Sequence, residues 1–125
     1  MTVKELYDSI GGSYESAQRI LPTEQLIGKF IVRFLDDTSC QRLLDASAGG
    51  DSKAIFEAAH SMKGVCANLG LNNLSEAAGV ITEEFRPGKT PTLTPEELAQ
   101  RMEALKADYG HAIEEIRKFA AAQQS

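Results

Sequence analysis

Residues 51–70 read DSKAIFEAAHSMKGVCANLG, and this stretch predicts the amphipathic helix on which the fold depends. On a helical wheel, where each residue turns by about 100°, one group of apolar residues falls within about 40° of a single axis: Ile55, Ala59, Met62, Cys66 and Leu69. A stripe of that kind predicts a helix with one side packed against a core. Asp51 is expected to cap the start of this helix, and Gly70 is expected to end it.

The other side of the same helix carries a histidine, a lysine and a glycine that a helical bundle does not need in order to fold. His60 falls about 140° from the core axis, Lys63 about 80° on the same flank, Gly64 about 180° and Ala67 about 120°. Residues three or four positions apart are neighbours on a helix surface, so these four are predicted to share one exposed patch. Phe56, four residues before His60, is expected either at the edge of the core or as an apolar contact for a partner.

Gly64 is the member of this patch that folding alone explains least. Glycine inside a helix costs roughly 0.5–1 kcal/mol relative to alanine. The close approach of another molecule or helix is a usual reason to keep such a glycine. Because Gly64 adjoins the outward histidine, the sequence favours the approach of a partner molecule.

Length and composition narrow the class of protein. The 125 residues suit one domain, which we divide into a helical extension over residues 1–22 and a helical bundle over residues 23–122. A formal net charge of −5 argues against a nucleic-acid-binding surface. The first residues open no apolar run of signal-peptide or membrane-spanning length, so we expect a cytoplasmic protein that contacts neither membrane nor nucleic acid. Cys40 and Cys66 have no CxxC or Cys/His cluster near them, so buried thiols are expected and no metal site.

The first part of the chain is predicted to be helical. Glycines at positions 11 and 12 interrupt a three-to-four spacing of apolar residues, which predicts two short helices, with Ser13 as the cap of the second. Thr23 is expected to cap a third helix. A short helix is expected over residues 40–46.

The second part of the chain is also predicted to be helical. Asn72 or Asn73 is expected to cap the helix that follows the His60 helix. Thr94 and Pro95 mark the start of a long last helix, and the tail over residues 120–125 is expected to fray. We therefore predict an all-α fold: an antiparallel up-and-down four-helix bundle with additional short N-terminal helices.

The helix after the His60 helix has a flank of small side chains, which is expected to pass close to the His60 helix. Thr82 or Glu83 on that helix could then hydrogen-bond one imidazole nitrogen and fix the tautomer. Arg86 could add positive charge nearby. Solvated side chains at these three positions remain the open alternative. His111, in the last helix, is expected to be solvated.

The segment AHSMKG at residues 59–64, followed by CANLG at residues 66–70, resembles the motif of histidine-containing phosphotransfer (HPt) domains of multistep phosphorelays. The similarity in helices and spacing extends over about residues 23–119. The resemblance implies that His60 is the phosphorylated nucleophile and that Lys63 stabilises the charge of the phosphoryl group. It also implies that Gly64 leaves room for a response-regulator receiver domain.

The same resemblance implies the partners. They would be response-regulator receiver domains and a hybrid histidine kinase, and the protein would be a monomer. It would hold no cofactor of its own, because the Mg²⁺ would lie on the receiver domain. Members of that family often orient the imidazole with a Gln, Glu or Asn on the next helix; Thr82, next to Glu83, stands at the matching position and departs from that pattern. The expected partner-binding residues are Phe56, Gly64, Ala67 and Arg86.

Two other classes of function compete with a phosphoryl carrier. A helical adaptor could bind a receiver or kinase domain without being phosphorylated. An enzyme, either a histidine-kinase fragment or a metal-dependent hydrolase, is the third class. The sequence has no glycine-rich nucleotide-binding loop near the histidine. It also lacks the Asp and Asn residues that hold the metal ion and act as the catalytic base in kinases, which favours a carrier over a kinase.

Overall fold

A computed structural model describes residues 1–123, and all regular structure in that part of the chain is helical. The helices are α1 (Val3–Ser9), α2 (Tyr14–Ile20), α3 (Glu24–Arg33), α4 (Ser39–Gly49), α5 (Ser52–Asn68), α6 (Asn72–Glu84) and α7 (Pro95–Gln123), and a 3-10 turn, Phe34–Asp36, follows α3. The predicted all-α class is confirmed. The tail was expected to fray from residue 120, but α7 continues to Gln123, and residues 124 and 125 lie outside the described part.

Four helices begin at the capping residues that the sequence predicts. Ser13, Thr23 and Asp51 each accept a hydrogen bond from a backbone N–H in the first turn of α2, α3 and α5, respectively. At the start of α7, the Thr94 N–H donates to the Glu97 carboxylate (2.9 Å) and the Glu97 N–H donates to the Thr94 hydroxyl (3.1 Å). These side chains satisfy N–H groups that have no partner within the helix.

The start of α6 and the length of α4 differ from the prediction. Neither Asn72 nor Asn73 caps α6, because both lie inside the helix and the capping position is Leu71, which makes no side-chain cap hydrogen bond. Leu71 is fully buried, so apolar packing replaces a polar cap at this helix start. The helix expected over residues 40–46 is longer and spans Ser39–Gly49.

Helix α5 packs between α4 and α6. Its most extensive contacts are with α6 and then with α4, while α7 contacts both α6 and α4, so these four helices close a ring of contacts. The predicted core stripe of α5 is confirmed, since all five of its members are buried: Ile55, Ala59, Met62, Cys66 and Leu69. No helix within residues 1–123 is long and apolar enough to cross a membrane.

The N-terminal helices join the same core at the end of α5. The Tyr7 hydroxyl donates to the Leu69 carbonyl (2.6 Å), and the Ser13 N–H donates to the Gly70 carbonyl (2.7 Å). Gly70 has a φ of +71°, and a Cβ atom at this position would lie 2.6 Å from the Ser13 carbonyl oxygen. Both the backbone conformation and the close approach of the α2 start therefore require glycine at the predicted end of the helix.

Both cysteines are buried free thiols, as predicted. Burial raises the pKa of Cys40 to about 11 and the pKa of Cys66 to about 12. The two thiols are therefore protonated at neutral pH and act as small apolar side chains in the core.

Candidate functional site

The exposed patch predicted on α5 is present. His60, Lys63, Gly64 and Ala67 are all solvent-exposed, whereas the neighbouring residue Met62 is fully buried. The core therefore fixes α5 from one side and presents the histidine, the lysine and the glycine together on the other. Such a surface is open to a partner as large as a protein domain.

The surroundings of Gly64 show that no other part of the described chain needs a glycine there. A Cβ atom built at Gly64 would meet no heavy atom within 4 Å, and the residue has an ordinary helical backbone. The helix therefore bears the cost of a glycine without an intramolecular contact that requires it. This open space is consistent with the approach of a partner molecule.

Lys63 lies against the small flank of α6. The Ser75 hydroxyl donates to the Lys63 carbonyl (3.2 Å). A Cβ atom built at Gly79 would lie 3.6 Å from both Cδ and Cε of Lys63, so the aliphatic part of the lysine crosses the bare backbone of Gly79. The expected close approach of α5 and α6 is confirmed, and it supports the stem of the lysine on the His60 side of the helix pair.

The two side chains expected to hydrogen-bond the imidazole are engaged elsewhere. Thr82 is fully buried, and its hydroxyl donates to the Ala78 carbonyl (2.8 Å). Glu83 is exposed and accepts two hydrogen bonds from Arg86, at 3.1 and 2.7 Å. Within residues 1–123, no hydrogen bond joins the His60 ring to a protein group. The expectation that Thr82 or Glu83 fixes the tautomer is therefore wrong for this conformation, because Thr82 turns into the core and Glu83 pairs with Arg86.

The ring that touches His60 belongs to Phe56. The two ring planes are 11° apart, and their centroids are 5.8 Å apart. The Arg86 guanidinium carbon lies 5.5 Å from the Phe56 centroid. Phe56 was expected at the edge of the core or as a partner contact, and its half-buried position fits the edge of the core. The stacking on His60 was not predicted, although the four-residue spacing of two aromatic rings on one helix is a signal for it.

Glu83 interacts with three cationic side chains. Hydrogen bonds from Arg86 lower the pKa of Glu83, and the charges of Lys63 and Lys89 lower it further. Three cations therefore lie near one carboxylate on the α6 side of the patch.

The other histidine has a structural contact. The Nε2 atom of His111 lies 2.9 Å from the Ser9 carbonyl oxygen, within hydrogen-bonding distance, although the side chain is exposed. The predicted solvent exposure of His111 is confirmed, and the ring also connects α7 to the end of α1. Of the two histidines, only His60 presents both ring nitrogens without a protein hydrogen bond in the described part of the chain.

Residues 36–119 match the family model of the Hpt domain. The match covers about two thirds of the chain and contains α4, α5, α6 and most of α7, together with the patch around His60. No curated protein and no solved structure matches the chain significantly.

Proposed function

The chain belongs to the Hpt domain family, and we propose that it carries a phosphoryl group on His60 between response-regulator receiver domains of a phosphorelay. Hpt domains are phosphocarrier modules of two-component signalling and not kinases. The proposal rests above all on one observation, the exposed His60 beside Lys63 and the open space at Gly64.

The transfer step follows from the chemistry of a neutral imidazole. A ring nitrogen of His60, which we propose to be Nε2, attacks the phosphorus of an aspartyl phosphate in line with the leaving carboxylate oxygen. The N–P bond forms as the P–O bond breaks, and the aspartate carboxylate leaves with the electron pair. The required Mg²⁺ belongs to the receiver domain. The reverse step passes the phosphoryl group to the next receiver.

Lys63 supplies charge in this scheme. Its stem lies across Gly79 and its side chain is exposed, so the ammonium group can reach the oxygens of a phosphoryl group on the neighbouring His60. A lysine is a compact cation with mobile donors, which suits oxygens that move during an in-line displacement.

Docking is the second part of the proposal. We assign Phe56, Gly64, Ala67 and Arg86 to the surface that a receiver domain covers. Gly64 and Ala67 are exposed on the His60 side of α5, and Arg86 is exposed and lies over Phe56, which stacks on His60. A hybrid histidine kinase would be the upstream source of the phosphoryl group, and the protein would act as a cytoplasmic monomer. For the fold we propose that α4–α7, whose contacts close a ring, alternate in direction as an antiparallel bundle.

The proposed function is tested by incubating the protein with a panel of phosphorylated receiver domains that carry radiolabelled phosphate. We expect label on the wild-type protein and on His111→Gln, and none on His60→Gln. Label that persists on His60→Gln would remove His60 from its role. Receiver binding that is unaffected by His60→Gln, with no label on any variant, would instead indicate the non-phosphorylated adaptor.

A further inference from the structure

An exposed histidine needs something that fixes its ring before it can attack in line. The side chain rotates about two bonds, and the second rotation is broad for a ring attached to an sp³ carbon. Transfer is fast only when the reacting atoms are already aligned. Since no protein hydrogen bond reaches the His60 ring in residues 1–123, another contact must limit its rotation.

We infer that Phe56 is a positioning residue that orients the His60 imidazole by stacking, and that the Glu83–Arg86 ion pair holds Phe56 in place. The inference rests on the proposed function of His60 and adds the residues that prepare the ring for transfer. It replaces the hydrogen bond that we expected from Thr82 or Glu83.

The helix geometry explains why these two rings meet. Side chains on a helix point back toward its N-terminus, so His60 leans over the residue four positions earlier, which is Phe56. The 5.8 Å centroid separation and the 11° angle between the planes are those of an offset aromatic pair. Stacking occupies a face of the imidazole and leaves both nitrogens, which lie on the ring edge, accessible to phosphorus.

Phe56 is itself restrained from the neighbouring helix. Its side chain is half-buried, and the Arg86 guanidinium lies over its ring at 5.5 Å. Arg86 in turn donates two hydrogen bonds to Glu83. A continuous set of contacts therefore runs from Glu83, in the last turn of α6, and Arg86, just beyond that helix, through Phe56 to His60 on α5.

A small phosphoryl donor such as phosphoramidate does not need the docking surface. Its reaction rate therefore reports the positioning of the His60 ring separately from the binding of a partner domain. In phosphoramidate, a His60 nitrogen forms the new N–P bond while the bond from phosphorus to the amide nitrogen breaks, and ammonia leaves. We expect Phe56→Leu to slow this reaction about three- to tenfold, because the unstacked imidazole is aligned less often. Phe56→Tyr keeps the stacking ring and is expected to restore the rate. Arg86→Gln is expected to slow the reaction less than Phe56→Leu.

The matched control is Phe30→Leu. Phe30 is also half-buried and also lies under an arginine, with the Arg33 guanidinium carbon 5.2 Å from its ring centroid, but it belongs to α3. We expect this control to react with phosphoramidate at the wild-type rate. Thermal unfolding followed by circular dichroism gives the stability of each variant, so that a rate change can be separated from a loss of folding.

Nuclear Overhauser effects between the Phe56 and His60 rings test the geometry without any phosphoryl transfer. We expect them in the wild-type protein and in Phe56→Tyr. If Phe56→Leu slows transfer from a receiver but not from phosphoramidate, Phe56 is a docking residue and the inference is overturned. Equal slowing by Phe56→Leu and Phe56→Tyr would overturn it as well. If the wild-type protein accepted no phosphoryl group from either donor, the proposed function would fail, and the Overhauser effects would still decide whether Phe56 orients His60.

Discussion

The two histidines of this chain are both exposed but differ in their contacts. His111 has a ring nitrogen within hydrogen-bonding distance of the Ser9 carbonyl, whereas the ring contact of His60 is made through its face, with Phe56. Two ring nitrogens without a protein hydrogen bond and an exposed lysine three residues away occur together only at His60 within the described residues. The chemical environment, more than exposure, therefore points to His60.

Lys63→Ala is expected to slow phosphoryl transfer from a receiver about ten- to a hundredfold, because one cation near the transferring oxygens is lost. Lys63 is exposed and outside the core stripe, so the free energy of unfolding is expected to change by less than about 0.5 kcal/mol. Transfer rates and thermal unfolding by circular dichroism measure the two effects. A wild-type transfer rate, or a large loss of helicity, would contradict this role for Lys63.

Gly64→Gln is expected to block the receiver more than it disturbs the helix. No atom of the described chain lies within 4 Å of a Cβ atom at this position, so the added side chain points into the space left for the partner. Transfer from the receiver should fall, while phosphorylation by phosphoramidate should continue. Gly64→Ala is the control with the smallest added group. Receiver transfer at the wild-type rate in Gly64→Gln would count against docking over this glycine.

The predictions for single residues were correct where they depended only on the direction in which a side chain points from the axis of its own helix. The wheel placed His60, Lys63 and Gly64 outside and Met62 inside, since a single helix axis fixes these directions. A helical wheel does not show how deeply a side chain is buried where two helices pack together, so the buried position of Thr82 was missed. The ion pair between Glu83 and Arg86 was missed for a related reason. Several cations are near enough in sequence to pair with a surface carboxylate, and only the three-dimensional geometry shows which of them does.

At the scale of the helices, the two glycines of the α5 motif are expected to respond to alanine in opposite ways. Gly70→Ala should lower the free energy of unfolding by about 1–3 kcal/mol or more, because alanine is strained at a positive φ and its Cβ would press on the Ser13 carbonyl. Gly64→Ala should raise it by roughly 0.5–1 kcal/mol. Urea unfolding of both variants measures the difference. Equal effects would contradict the distinct roles assigned to the two glycines.

The connection between α6 and α7 is expected to loosen in acid. The buried Glu84 carboxylate accepts hydrogen bonds from the Leu93 N–H (2.7 Å), the Thr92 N–H and the Thr92 hydroxyl. These bonds, first that from Leu93, lower the pKa of Glu84 below its ordinary value of 4.5. The stabilisation is therefore complete well above pH 4.5 and is lost as the pH falls through the lower pKa of the folded state.

Amide chemical shifts of Thr92 and Leu93 measure this effect. They should titrate with a midpoint below pH 4.5, and the titration should vanish in Glu84→Gln, which already lacks the charge. A midpoint above pH 4.5 would contradict the assignment of these hydrogen bonds to the ionised carboxylate.

Helix boundaries were predictable where the signal is local. The Thr94 and Glu97 pair lies within four residues, and its two hydrogen bonds form as the pattern predicts. The start of α6 was not predictable in this way, because the burial of Leu71 depends on residues far away in sequence. The start of α6, which the capping rules placed incorrectly, is therefore determined by long-range packing.

At the scale of the whole molecule, the number and order of helices followed from the sequence more readily than their packing. Apolar spacing, the interruption at glycines 11 and 12 and the helix start at Thr94 and Pro95 are local signals, so they predicted an all-helical chain. The longer α4 and the hydrogen bond between Tyr7 and Leu69 depend on contacts between distant segments. No wheel of a single helix contains that information. The site was predictable on α5 and in the close approach of α6, whereas the contacts made by Thr82, Glu83 and Arg86 were not.

The central claim concerns the place of the phosphoryl group on the folded chain, and locating it by mass spectrometry is the most direct test. The 125-residue protein is incubated with a phosphorylated receiver domain, and its peptides are then analysed at alkaline pH, where a phosphohistidine survives. We predict one phosphoryl group, bound to His60. A phosphoryl group found at His111 or at any other residue instead of His60 would contradict the claim.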